Sequence, residues 1–349
     1  MTRRWCVVAL GVLALSVAAV LAGPGAAPSA RDRARQAVAD RAADPTRTVL
    51  RPKVLLITYD PILESEGGKQ LSAYCGWNDS ATLAEGYISD LKKASGGYLQ
   101  YQIARKVTVD QYPLKKDGFR YDDASYLRCY RKQEDWHQPD AVDYGALFRD
   151  FKVEDEVQKR RIDEVWVFSM PYSGYWESTM AGKGAYFCNS DPVPGVRTSR
   201  AFVTMGFNYE RGVGEMLEDF GHRTESIMTH VYGSWEAKKT HAWNRFTLYD
   251  RAMPGEAACG NVHFAPNSTK DYEWGNPRPV ESTCDDWLNY PRLTGKKRTV
   301  TDTEWGSGDI RKHHVWWLSH LPKAAGRTDG KLNNWWAYVA DLNAFPESR

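Results

Sequence analysis

From Lys53 to Tyr59 the chain reads KVLLITY, a short and almost unbroken apolar run closed by Asp60-Pro61. Such a run predicts a strand covered on both faces, as in a parallel sheet. Next comes NDSATLAEGYISDLKKASGG (78–97), with Leu83, Tyr87, Ile88 and Leu91 at helical spacing, polar caps at Asn78 to Ser80 and a stop at Gly96-Gly97. That pattern predicts an amphipathic helix. YLQYQIARKVTV from Tyr98 alternates as a second strand, DYGALFRDFKVEDEVQKR (143–160) has a helical pattern, and IDEVWVFSMP from Ile162 reads as a third strand. RAFVTMGF from Arg200 can add another. Strand and helix in alternation predict an α/β fold, a partly parallel sheet with flanking helices. Beyond His241 the chain is rich in Gly, Pro, Asn and Trp with few clean periods, which predicts a loop-rich C-terminal half packed over one edge of the core.

One segment carries two stripes. In YERGVGEMLEDFGHRTESIMTHVY (209–232), Val213, Met216, Leu217, Phe220, Thr224, Ile227, Met228 and Val231 fall on one side of a helix. Glu215, Glu218, His222 and Glu225 fall on the other, at steps of three, four and three, close enough to share an ion or a proton. A polar stripe is what any surface helix shows. Three carboxylates in a row with no Lys to relieve them nevertheless repel one another. Gly221, mid-helix, costs about 1 kcal/mol relative to alanine, which predicts a close approach to the backbone there. A divalent cation such as zinc on Glu218, His222 and Glu225 would offset the repulsion. Without a metal, one crowded carboxyl could act as an acid while its neighbour stays ionised. The catalytic candidates are therefore Glu215, Glu218, His222 and Glu225. His263, in CGNVHFAPNSTKDYEWGNP, can complete a ligand set with His222 or simply hydrogen-bond a loop carbonyl.

Ligands of open α/β sheets bind outside the carboxyl ends of the strands. The loop after the third strand, SMPYSGYWES, thus offers Tyr172, Ser173, Tyr175 and Glu177 as substrate-binding candidates, with Ser169 at its start. It is expected to share an edge with His222. Asp60 and Asp110 end the first two strands and read as turn caps. His313, Trp317 and His320 share one side of a further helix, where core packing accounts for them as well as a metal does.

The N-terminus alters the setting. Arg3 and Arg4, the apolar stretch Trp5 to Ala22 and the small residues of GPGAAPSA predict a secretory signal peptide over 1–30, with no stable membrane association after cleavage. Residues 31–51, rich in Ala, Arg and Asp, predict a linker or a disordered leader ahead of one large domain over 52–349. Cleavage would leave 44 basic residues against 44 acidic ones, a balance that gives no reason for a nucleic-acid or anionic-membrane partner. Of six cysteines, Cys75, Cys129, Cys188, Cys259 and Cys284 would remain, and in an oxidising compartment most should pair. Proximity in sequence suggests Cys259 with Cys284 and Cys75 with Cys129, leaving Cys188 free. The 14 Trp and 19 Tyr serve either as core or as stacking platforms for sugars.

Within the long helix, EDFGH (218–222) resembles the HEFGH of zinc peptidase helices, with His222 on a ligand position, Glu218 in place of the first His and Asp219 in place of the general base. The succession KVLLITYDPIL, GWNDS, DEVWVFSMPYSGYWES, MGFNYERGVGEMLEDFGHRTESIM, CGNVHFAPNS and NNWWAYV is similar to a family of secreted microbial proteins of unknown function, and the similarity implies no mechanism. The expectation is a secreted hydrolase of an extracellular polymer, peptide or glycan, possessing an acidic and histidine-bearing helix face. The alternative is a non-catalytic carbohydrate- or cell-wall-binding protein.

Overall fold

The computed structural model describes residues 48–345 and 347. The leader expected over 1–30 and most of the linker lie outside the described residues. Five strands form the central sheet: β1 (Lys53–Tyr59), β2 (Gln102–Val109), β3 (Glu164–Ser169), β4 (Ser178–Ala181) and β5 (Phe202–Asn208), in the order β2-β1-β3-β5-β4. The first four neighbours run parallel, and β4 closes the edge antiparallel to β5. The sheet is thus mixed and mostly parallel, as the alternation of elements predicts. β1 and β3 are buried on both faces, which is why their sequences lack a polar alternation. Four residues, STMA, are too few to carry a period, and β4 was not anticipated.

Helix α1 (Ser80–Ala94) begins at Asp79, whose side chain accepts from Thr82 N, and buries Leu83, Tyr87 and Leu91. The helical pattern over 143–160 is two helices, α2 (Tyr144–Asp150) and α3 (Val153–Gln158), separated where Lys152 takes a left-handed conformation. Helix α4 (Val213–Tyr232) follows β5 directly and packs against α1, α5 (Ile310–His320) and α6 (Trp335–Ala340). All eight residues of its apolar stripe are buried.

The opposite side is partly covered, with Glu218 and Glu225 buried and Glu215 and His222 half-buried, and a buried ion pair flanks the apolar stripe. Arg223, 1% exposed, grips Glu164 of β3 through two bonds of 2.8 and 2.7 Å and donates to the Val339 carbonyl at 2.8 Å. A guanidinium and a carboxylate out of water depend on such forked bonds, and of the guanidinium nitrogens Nη1 and Nη2 are bonded while Nε has no partner among the described residues. The C-terminal half has short elements and long loops, as expected, and its tryptophans are mostly interior: Trp243, Trp305, Trp317, Trp335 and Trp336 are fully buried. No helix of the described residues is long and apolar enough to cross a membrane.

The expected disulfides are not formed. All five described cysteines are free thiols. Cys129 Sγ lies 3.2 Å from the Asp135 carbonyl, and Cys259 Sγ lies 3.8 Å from the backbone carbonyl of Cys284. Closeness in sequence brings these segments together without setting sulfur against sulfur. Burial pushes the Cys75, Cys188 and Cys284 thiols up to about 11, the direction of unreactive side chains.

Candidate metal centre

The loop that covers α4 is seated at Gly221. A Cβ on that residue would lie 2.5 Å from Val262 Cγ2, so the missing side chain is the space that Val262 occupies. This is the close approach that a mid-helix glycine foretells. One turn further along the helix, Glu225 Oε1 accepts from Val262 N at 2.9 Å. The loop turns sharply at Gly260, whose left-handed φ of 70° and contact with the Phe264 carbonyl exclude a side chain. Asn261 Oδ1 then accepts from the N–H groups of His263 and Phe264, at 3.1 and 3.0 Å. Trp274 Nε1 holds the Val262 carbonyl and Trp317 Nε1 the Gly260 carbonyl. Trp317 is therefore a strut for the loop.

These constraints deliver His263 to His222. Their Nε2 atoms lie 3.1 Å apart, with the rings at 83°. Glu218 Oε1 is 3.4 Å from His263 Nε2 and 3.9 Å from His222 Nε2. Behind each ring stands a carboxylate: Glu225 Oε2 is 2.9 Å from His222 Nδ1, and Asp271 Oδ1 is 3.1 Å from His263 Nδ1. Carboxylates only accept, so in the neutral rings both Nδ1 atoms carry the protons and both Nε2 atoms present lone pairs to each other. Something positive belongs between them. A triangle with sides of 3.1, 3.4 and 3.9 Å has a circumscribed radius of about 2.0 Å, the length of a metal bond to imidazole or carboxylate. Glu218, His222 and His263 together form a group that could hold a metal ion.

Without an ion, a proton takes that place. Burial would lower the His222 imidazole, but hydrogen bonds to Glu218 and Glu225 outweigh it and push its pKa up to about 10. Burial would likewise raise Glu218, yet the bonds from His222 and His263 hold it well below the usual carboxylate range. Loss of water around Asp219, then the charges of Glu177 and Glu218, push its carboxyl up. Burial and the Glu218 and Asp271 charges raise the Tyr272 phenol to about 12. Its ring leans on His263 at 4.2 Å and stays 52% exposed, at the mouth of the site.

The sequence candidates divide. Glu218, His222 and His263 meet. Glu225 stands behind His222 instead of among the ligand atoms, because its two oxygens are taken by Nδ1 and by Val262 N. Glu215 turns back to accept from Gly212 N at 3.1 Å and closes the first turn of α4, away from the cluster. The loop after β3 reaches the centre only at its far end. The Glu177 charge is felt at His222, Asp219 and Tyr272, and its carboxylate is held by Asn189, whose N–H donates to Ser226 Oγ of α4. Tyr172, Ser173 and Tyr175 line a separate hollow of about 250 Å³, to which α4 contributes no residue. Ser173 Oγ is committed to Ser169 Oγ and the Met170 carbonyl, both at 2.6 Å, and Tyr172 stacks on Trp136.

Asp271, Tyr272 and His314 were not foreseen. Asp271 and Tyr272 sit in a polar loop with no period to mark them. His314 is fully buried on α5, its Nδ1 bonded to the Ile310 carbonyl at 2.8 Å. Burial brings it down to about 4, with the Glu218 charge acting in the opposite sense. His313 instead stacks on Trp274. Compared with known protein families, curated proteins and solved structures, the chain matches none.

Proposed function

We propose that the chain is a secreted metal-dependent hydrolase of an extracellular polymer, peptide or glycan, with zinc held by Glu218, His222 and His263. The observation that carries this reading is the pair of Nε2 atoms 3.1 Å apart, each imidazole held from behind by a carboxylate. Carboxylates bonded to the far nitrogen fix the tautomer and raise the basicity of metal-binding histidines. Two nitrogens and one carboxylate oxygen are a zinc donor set that leaves a position for water, and a zinc ion held there would supply a more acidic water and a polarised carbonyl.

The chain's own residues position and move protons. Glu225 and Asp271 orient the rings. Glu177 is the carboxylate to take a proton from the attacking water, and Asp219, whose carboxyl is pushed up by burial and by the Glu177 and Glu218 charges, is the group to return one to the leaving atom. Tyr272 at the mouth and Trp176 beside Glu177, 52% and 55% exposed, offer flat faces to a polymer. Those exposed rings also favour a second reading, a non-catalytic carbohydrate- or wall-binding protein.

Elemental analysis of untagged protein tests the metal, with loss of the ion expected in His222→Ala. Turnover of a protein and of a cell-wall glycan, each with chelator and with zinc restored, tests catalysis. An ion bound without turnover of either polymer favours the binding reading. Absence of metal at this centre under zinc saturation refutes the proposal.

A further inference from the structure

A second group of mixed ligands lies at the far end of α5. Cys284 opens a 3-10 turn, Cys284–Asn289, and is fully buried; His320 is the last residue of α5 and is 7% exposed. The Cys284 thiol is 3.6 Å from Asp285 Oδ1, and His320 Nε2 is 3.9 Å from the same oxygen. One donor atom from each residue falls within 4.8 Å of the other two. Around tetrahedral zinc, sulfur and oxygen ligands stand about 3.6 Å apart and nitrogen and oxygen about 3.3 Å apart, given bonds of about 2.3 and 2.0–2.1 Å.

The partners of these side chains point the same way. His320 Nδ1 is 2.7 Å from the Trp316 carbonyl. A carbonyl only accepts, so Nδ1 carries the proton and Nε2 presents its lone pair towards Cys284 and Asp285. A backbone carbonyl on the far nitrogen is a common support for a ligating histidine. Arg298 holds both oxygens of Asp285, Nη2 donating to Oδ1 at 3.0 Å and Nε to Oδ2, so Oδ1 keeps one lone pair for an ion. Glu304 takes the other side of that guanidinium, at 2.7 and 2.9 Å, and balances its charge. Ligating carboxylates are ordinarily hydrogen-bonded in this manner. Among the described residues no hydrogen bond reaches His320 Nε2, and the charged group nearest to it is the Asp285 carboxylate, at 3.9 Å.

We propose that Cys284, Asp285 and His320 form a second metal site, a structural one for zinc, separate from the centre on α4. Cys284 gives up its thiol proton to solvent on binding, and the thiolate, the carboxylate and the imidazole take three positions on the ion. The site ties the C-terminal end of α5 to the turn at Cys284, in the half of the chain that the central sheet does not reach. Since α5 carries Trp317, the strut of the Gly260 turn, the ion also braces the loop that presents His263.

Cobalt(II) distinguishes the two centres, because only this one supplies a thiolate. Full-length protein is stripped with chelator and titrated with cobalt(II). The expected result is an intense thiolate-to-cobalt charge-transfer band in the near ultraviolet, kept in His222→Ala and lost in Cys284→Ser. A sulfur neighbour at about 2.3 Å in the zinc X-ray absorption spectrum of wild-type protein gives the same answer without a variant, since the α4 centre supplies no sulfur. Absence of the band at saturating cobalt overturns the proposal whatever the α4 centre binds. A band that survives Cys284→Ser and disappears in Cys259→Ser also overturns it, by moving the thiolate to the neighbouring cysteine.

Discussion

Replacing Gly221 with alanine, the best helix former, should damage this protein. The new methyl would stand 2.5 Å from Val262 Cγ2, whereas carbon atoms rest at about 3.5–4.0 Å, so the loop must retreat by about 1 Å. Overpacking of this kind costs about 1–3 kcal/mol, against about 1 kcal/mol gained in helix propensity, a net loss of about 0–2 kcal/mol. The effect on the metal centre is larger than the effect on stability. Val262 N is bonded to Glu225 and His263 is the next residue, so a retreat of about 1 Å carries His263 Nε2 several times beyond the tolerance of about 0.2 Å for a metal bond. Zinc affinity, measured by competition with a chromogenic chelator, should fall by at least tenfold, and the melting temperature of the metal-free protein should change little or drop. Val262→Ala in the same chain removes both γ-methyls and should recover most of the affinity. A Gly221→Ala protein that melts higher and binds zinc as tightly as wild type would refute the reasoning.

Other consequences are open to measurement. Glu225→Gln keeps the shape behind His222 but removes the charge, and zinc affinity should fall by about 10- to 100-fold; unchanged affinity would make Glu225 a bystander. Arg223→Met strands Glu164 in the core and should cost about 3–5 kcal/mol in urea denaturation, whereas a loss below about 1 kcal/mol would mean that water reaches the pair. In chelator, His222 has a folded pKa raised from 6.5 to about 10, so its contribution is complete below pH 6.5 and lost as pH climbs to about 10. Glu218 is depressed below 4.5, so its contribution is complete above pH 4.5 and lost on acidification. Metal-free protein should therefore melt highest between pH 4.5 and 6.5, and a melting temperature that rises from pH 6.5 to 10 would contradict the shared proton.

The strands β1, β2, β3 and β5 and the helices α1 and α4 were legible because each has a run or a period long enough to stand above its neighbours. The short β4 was not, and α2 and α3 read as one helix because nothing in the sequence marks Lys152 as left-handed. In the candidate centre, helical spacing joined Glu218 to His222, and the cost of Gly221 announced a covering loop. Spacing alone does not say which oxygen of Glu225 meets which atom, so an outer partner was read as a ligand. Tyr172, Ser173 and Tyr175 were drawn to the same site for another reason: the rule about strand ends names an edge of the sheet and no place along it, and these three line a hollow to which α4 adds nothing. Arg223 escaped notice because its partner, Glu164, lies in a strand that otherwise reads as purely apolar.

That ion pair also bears on aim. A helix seated by aliphatic side chains can roll about its axis, since methyl groups slide past one another with little change in energy. Side chains reach about 5–6 Å from the helix axis, so a metal-bond tolerance of about 0.2 Å corresponds to a roll of only about 2°. His222 and Arg223 are consecutive and leave α4 in different directions, one towards the covering loop and one towards β3. The forked guanidinium on Glu164 works as a key in a shaft, converting the rigidity of the sheet into the angular setting of the neighbouring imidazole.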